Sequence, residues 1–172
     1  MKVLHLNTYD SGGAGSAVYR LHQGLIARDV LSKMLVSKKR INDDNIVSLC
    51  SSELLGRMRI SGGFLPNKLY RSRKGVGFSS QWLPDNIASS VRAIQPDIIH
   101  LHWINHSFVQ IETLSKLGFP LVWTLHDMWP FTGGCHYSST CNLYTSSCGN
   151  CPILRSNQKS DLSSLTWTRK RK

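Results

Sequence analysis

The sequence predicts an α/β protein, a Rossmann-like parallel sheet with helices on both faces and a cysteine-rich loop. Three observations predict it. Short β-rich runs alternate with segments of helical period, the order that builds parallel sheets covered on both sides. The first β-rich run leads into a glycine-rich turn, Ser11-Gly12-Gly13-Ala14-Gly15-Ser16. A later apolar run, residues 120–125, ends abruptly in His126-Asp127. A buried strand that delivers two titratable side chains at its carboxyl end is how open α/β sheets build binding sites.

Residues 2–7 read as the first buried strand, although His5 and Asn7 break the apolar run. Residues 8–16 form a turn cluster. Ala17, Val18, Leu21, Leu25 and Ile26 then recur with a helical period, and Ser11 or Ser16 serves as the cap. Residues 30–37 read as the second strand, 41–45 as a polar turn and 46–50 as a short third strand. A helix is expected over 53–60. Residues 61–81, rich in glycine and arginine, read as a mobile loop. Pro84-Asp85-Asn86 opens a helix running to about Ile94, and residues 98–103 are the fourth strand. A helix over 108–117 stops at Gly118, which supplies a left-handed cap. Residues 121–126 are the last clear strand, and 162–171 begin another helix.

At 172 residues, with 41% hydrophobic and 18% charged side chains, the chain has enough apolar content for a folded core and is not disordered. No apolar run approaches the ~18 residues of a membrane-crossing helix. The opening MKVLHLN reads as a strand and not a signal peptide. This argues for the cytoplasm, where thiols stay reduced and clustered cysteines bind metal more often than they pair. The formal charge of +11 is unevenly spread. Arg57, Arg59, Lys68, Arg71, Arg73 and Lys74 fall in a stretch without an acid, and the chain closes on Arg169-Lys170-Arg171-Lys172. Such surfaces attract phosphates, nucleic acid or anionic headgroups, or are simply solvated faces.

Four groups of residues carry chemistry. The glycine turn lets backbone N–H groups face an anion at a helix N-terminus. It lacks the third glycine of a dinucleotide fingerprint, and no acid ends the second strand, which argues against NAD. His100 and His102 point to one face of a strand and stand at the carboxyl edge. Packed or hydrogen-bonded histidines are the ordinary reading; a metal pair would need a third ligand, with His126 the nearest candidate. His126 can donate to a substrate hydroxyl or a leaving phosphate, and Asp127 can orient it or cap the following turn. Cys135, Cys141, Cys148 and Cys151 offer a closed tetrahedral zinc site that would be structural, although only the last pair has C-x2-C spacing. Two disulfides and four free thiols are the other readings. Cys50, far off in sequence, reads as a small core residue.

Taken together, Leu4-His5-Leu6-Asn7, Ser11-Gly12-Gly13-Ala14-Gly15, Pro96-Asp97-Ile98-Ile99-His100-Leu101-His102-Trp103, and Thr124-Leu125-His126-Asp127-Met128-Trp129-Pro130-Phe131-Thr132-Gly133-Gly134-Cys135 through Cys148-Gly149-Asn150-Cys151-Pro152 resemble the N-terminal domain of family 4 glycosyltransferases. The similarity is strongest to the bacterial exopolysaccharide and colanic-acid-type branch. It implies half of a GT-B architecture, with the acceptor held by this half and the nucleotide-sugar donor held mainly by a second domain carrying a Glu-x7-Glu motif. It implies transfer with retention, no cofactor and no catalytic metal. By position, Gly12, Gly13 and Gly15 would approach the donor diphosphate or the acceptor. His126 would contact the donor sugar, Asp127 would support that histidine or the acceptor, and His102 and Trp103 would line the cleft. After Asp127 the only acid is Asp161, so the Glu-x7-Glu motif is not within this chain. Residues 1–160 are therefore expected to form the first domain and 161–172 to begin a connection to a missing one. This half alone is expected to be inactive.

The partners expected are a nucleotide-sugar donor and a glycan or lipid-linked acceptor, with peripheral contact to the anionic inner face of the plasma membrane. The competing reading is a zinc-stabilised basic module that binds nucleic acid or anionic membrane. The nucleic-acid version is disfavoured, because only Phe64 and Tyr70 interleave with the basic residues from Arg57 to Lys74.

Overall fold

The computed structural model describes residues 1–50, 52–70 and 77–172. Its centre is a five-stranded parallel sheet of order β3-β2-β1-β4-β5. The strands are β1 (Lys2–Tyr9), β2 (Leu31–Lys38), β3 (Ile46–Ser48), β4 (Ile98–Leu101) and β5 (Leu121–Trp123). The helices are α1 (Gly12–Ile26), α2 (Glu53–Gly63), α3 (Ile87–Ile94), α4 (Ile111–Leu114) and α5 (Leu162–Lys170). Because all five strands run the same way, their carboxyl ends share one edge, and the loops that follow them meet there.

Side chains alternate across the sheet, and the two faces are built differently. Leu4, Leu6, Leu35, Ile99 and Leu101 pack on Ile87 and Val91 of α3, on Phe108, Ile111 and Leu117, and on Trp129. On the opposite face, Val18 of α1 packs on Met34, Val36 and Ile46. His5, His100 and His102 belong to this second face, since His5 pairs in register with His100 and residue 102 lies two further on.

Several elements differ from the sequence expectation, each for a local reason. Helix α1 starts at Gly12, so the glycine turn is the helix's first turn and not a loop before it. The helix expected over 108–117 shrinks to Ile111–Leu114. His106 and Ser107 take left-handed backbone, φ +54° and +61°, and Gln110 is extended, so helical geometry begins only after them. Strand β5 spans three residues, and Leu121 and Val122 are 44% and 50% exposed. It is the outer edge of the described sheet, not a buried strand, and Thr124 N–H to Leu101 O continues the ladder just past it. The region read as a mobile loop is partly ordered: α2 extends to Gly63, a 3-10 turn covers Pro66–Leu69, and Phe78 bridges Cys135. Residues 71–76, with three of the basic side chains, lie outside the described residues.

Helix α5 packs back onto the domain. Asp161 caps it, accepting from Ser163 and Ser164 N–H and, through its other oxygen, from Cys151 N–H. Arg169 clasps Glu112 with contacts of 2.6 and 2.7 Å and donates to the carbonyls of Ser80 and Gln81. Lys170 donates to the carbonyls of Trp129 and Thr132 and sits 3.5 Å from the Trp129 ring centroid.

The glycines of the first turn have separate jobs. A Cβ on Gly13 would meet nothing within 4 Å, whereas one on Gly15 would lie 2.6 Å from the Asp10 carbonyl carbon and 2.8 Å from the Tyr9 oxygen. Gly15 thus lets α1 rest against the end of β1. Gly15→Ala is expected to cost about 1–3 kcal/mol in urea unfolding. Gly13→Ala is expected to be neutral or stabilising by up to about 1 kcal/mol. Equal effects would remove the close approach as the reason for Gly15.

Candidate functional site

The carboxyl edge of the sheet gathers the end of β1, the start of α1, the loop after β4 and the turn after β5. Gly12 and Gly13 open α1 and face open space, with no acidic side chain in the first turn. The free N–H groups of such a turn, with the positive end of the helix dipole, favour an anion. Gly15 faces the chain itself, and Asp10 is wholly buried, accepting from the backbone of Arg40 and Ile41 to tie this turn to the loop after β2.

Three histidines form a chain of contacts that ends at this edge. His5 Nδ1 is 3.2 Å from His102 Nε2, and His102 Nδ1 is 3.2 Å from His126 Nε2. Burial pushes His5 and His102 down to about 3, and burial also lowers His126, so all three rings are neutral near pH 7. A neutral imidazole carries one N–H. His102 can therefore donate to one neighbour only and must accept from the other. If protons run outward from His5, its buried Nε2, which has no partner, is left as a bare acceptor. If they run inward, the same atom is an orphaned buried N–H, the rarer and costlier case. The outward tautomers are thus assigned from the network. His126, half-buried, then accepts at Nε2 and keeps its Nδ1–H as a donor.

His5, His100 and His102 also place three ligating atoms within 4.8 Å of one another, so they could hold a metal ion. The ring of His100 is otherwise engaged with Thr124 Oγ1 at 2.8 Å, and both nitrogens of His102 are committed to its neighbours. The hydrogen-bonded chain accounts for more of these contacts than a metal does.

Asp127 points away from this chain into the loop. Its carboxylate accepts from Trp103 Nε1 at 2.7 Å, His136 Nδ1 at 2.9 Å and Trp129 N–H at 2.9 Å. Burial pushes its carboxyl up, but the bonds from His136, Trp129 and Trp103 outweigh that and hold it below the ordinary range. Trp103, just past β4, is fixed by Asn7 Oδ1 at its N–H. Its ring stands 6.0 Å from Tyr9, 4.7 Å from His106 and 5.5 Å from His136.

The four cysteines lie in the loop beyond Asp127. Cys135 and Cys151 are buried, Cys141 and Cys148 are half-buried, and all are free. They line one partly open pocket of about 20 Å³. A larger cavity, about 510 Å³, opens between the ends of β2 and β3 and helix α2, lined by Tyr9, Lys38, Lys39, Arg40, Glu53 and Arg57 among others.

The residues named from the sequence therefore group as follows. His102 and His126 touch, Trp103 and Asp127 touch, Gly12 and Gly13 open onto the same edge, and the cysteines gather separately. His5, Tyr9 and His136 join the site although they were not singled out for it. His5 had a signal, since His5 and Asn7 place polar side chains at alternate positions of an otherwise apolar strand.

Comparisons with known proteins agree in kind. The family described as Glycosyltransferase Family 4 matches residues 11–147. WcaC of Escherichia coli (strain K12), provisionally named a colanic acid biosynthesis glycosyl transferase, is 23% identical over 164 residues, covering 90% of this chain and 40% of that protein. The chain thus spans about two fifths of the length of this curated relative. No solved structure matches.

The buried imidazoles carry a pH signature. His5 and His102 are pushed to about 3 in the folded chain from an ordinary 6.5. Between those values the unfolded chain binds more protons, so their contribution to stability is full above pH 6.5 and is lost as pH falls toward 3. Urea midpoints are expected to fall as pH drops from about pH 6.5 to 5, above the carboxylate range. A midpoint unchanged over that interval would show that these rings are not buried and neutral.

Proposed function

The chain belongs to glycosyltransferase family 4, and from that premise we propose that it is the acceptor-side half of a nucleotide-sugar-dependent, retaining GT-B glycosyltransferase of polysaccharide biosynthesis. The observation that carries this reading is the meeting of the open α1 N-terminus and the His126 donor on one edge of the parallel sheet. In this reading the N–H groups of the first turn of α1 face the donor diphosphate. The Nδ1–H of His126 donates to the donor sugar or to charge developing on the leaving phosphate, where a preorganised donor is worth most. His102 and His5 hold that ring in its tautomer. Asp127 acts on Trp103 and His136 and so shapes the wall of the cleft. A second domain supplies the remaining donor contacts, and no catalytic metal or cofactor is required.

The 510 Å³ cavity fits the acceptor. Four cations, Lys38, Lys39, Arg40 and Arg57, line it against one acid, Glu53. Glu53 pairs with Lys38 at 2.6 Å and lies 3.6 Å from Arg57, which leaves the cavity net positive. An acceptor carrying phosphate, such as a lipid-linked glycan, matches that charge. Helix α2 forms one wall through Gly56, Arg57 and Ile60, while Leu54 and Met58 on it are 67% and 62% exposed. Leu55, Leu65 and Leu69 extend this exposed apolar surface, with Lys68 beside it. Apolar side chains flanked by basic ones suit a helix lying at an anionic membrane surface. Among the described residues no helix is long and apolar enough to cross a membrane, so the contact proposed is peripheral, on the cytoplasmic face.

Two measurements test the reading. Co-expressed with a Rossmann-like domain carrying a Glu-x7-Glu motif, the chain is expected to transfer or hydrolyse a UDP- or GDP-sugar, and alone it is expected to do neither. His126→Ala should lower kcat of the pair by about 100-fold with an unchanged melting temperature. A folded pair inert toward every donor overturns the enzymatic reading. For the membrane face, the chain is expected to float with liposomes containing acidic lipid and not with zwitterionic ones. Leu54→Ser combined with Met58→Ser should reduce the floated fraction several-fold. Equal flotation on both lipids, or none, rejects the peripheral contact.

A further inference from the structure

Cys135, Cys141, Cys148 and Cys151, all in the loop after Asp127, border one partly open pocket of about 20 Å³. A cavity needs roughly 10–15 Å³ to admit one water-sized guest, so this one has room for a single atom. The surrounding chain is shaped to bring the sulfurs there. A Cβ on Gly133 would lie 2.9 Å from Cys148 Sγ, and Gly149 and Asn150, between Cys148 and Cys151, have φ of +138° and +46°.

We propose that Cys135, Cys141, Cys148 and Cys151 bind one zinc ion, which locks the loop from Trp129 to α5 against the sheet. Four thiolates with no open position make a structural site. The four sulfurs are gathered but not closed. Among the described residues only the histidine set brings three ligating atoms within 4.8 Å, whereas zinc–sulfur bonds of about 2.3 Å imply sulfurs roughly 3.8 Å apart. Binding therefore draws the side chains inward and releases the thiol protons to solvent. The consequence reaches the cleft, because His136 follows Cys135 directly and its ring bonds Asp127. Thr132 Oγ1 and Met128 N–H secure the carbonyls of Cys135 and His136 in the same turn.

The test reads metal and stability, so its outcome is independent of glycosyl transfer. Elemental analysis of the full chain purified under reducing conditions is expected to give about one zinc per chain. Removing the metal with a strong chelator should lower the melting temperature by about 5 °C or more, and Zn²⁺ but not Mg²⁺ should restore it. Cobalt substituted for zinc should show the visible absorption of a tetrahedral thiolate site. Cys148→Ser and Cys151→Ser should lower the zinc content, and Cys50→Ser should leave it unchanged. If the first two variants do not fold, the chelation of the unaltered chain decides the matter. A metal-free chain with four reactive thiols and chelator-insensitive melting overturns the proposal, as does iron with sulfide in place of zinc.

Discussion

The Asp127 carboxylate accepts from the Trp103 indole, the His136 ring and the Trp129 backbone, and these three groups come from parts of the chain that the sheet leaves apart. Trp103 follows β4, Trp129 enters the core beneath α3 and α4, and His136 lies in the cysteine loop. A buried carboxylate loses several kcal/mol of hydration, while each hydrogen bond to a charged group returns about 1.5–3 kcal/mol. The depressed carboxyl of Asp127 shows which effect wins. One side chain therefore decides where the loop after β5 lies over the end of β4.

The second organising feature is the line of imidazoles across the α1 face. Aliphatic side chains would pack there as well, but they could not carry a hydrogen-bond direction from the interior to His126. Because His102 has a single proton to give, the state of His126 is set two strands away across the sheet, at His5. This gives a static sheet face a chemical polarity, with its donor end at the carboxyl edge of the sheet.

Much of this could be read from the sequence because it is local. The strand–turn–helix order, the common face of His100 and His102, and the crowding of cysteines follow from spacing alone. The partnership of His5 with His102 depends on the register between β1 and β4, ninety-odd residues apart, and no local pattern fixes it. The helix over 108–117 was misplaced because left-handed backbone at His106 and Ser107 is not signalled by side-chain periodicity. The return of α5 rests on Arg169 and Lys170, which in the sequence look like a solvated basic tail. Their real partners are loop carbonyls and Glu112, groups that only the folded chain brings near. Asp127, placed beside His126 by the sequence, works instead on Trp103 and His136, because consecutive residues in a turn face different ways.

The shortness of β5 has a mechanical consequence. Among the described residues, His126 is suspended from a three-residue strand bonded on one side only, like a bracket fixed along one seam. Its stiffness cannot come from the ladder and must be borrowed from whatever grips the bracket from outside: the Asp127 bonds, the cysteine loop, and any strand laid along the bare seam beyond Leu121 and Val122. A neighbour settling on that seam would tighten the donor ring without touching it.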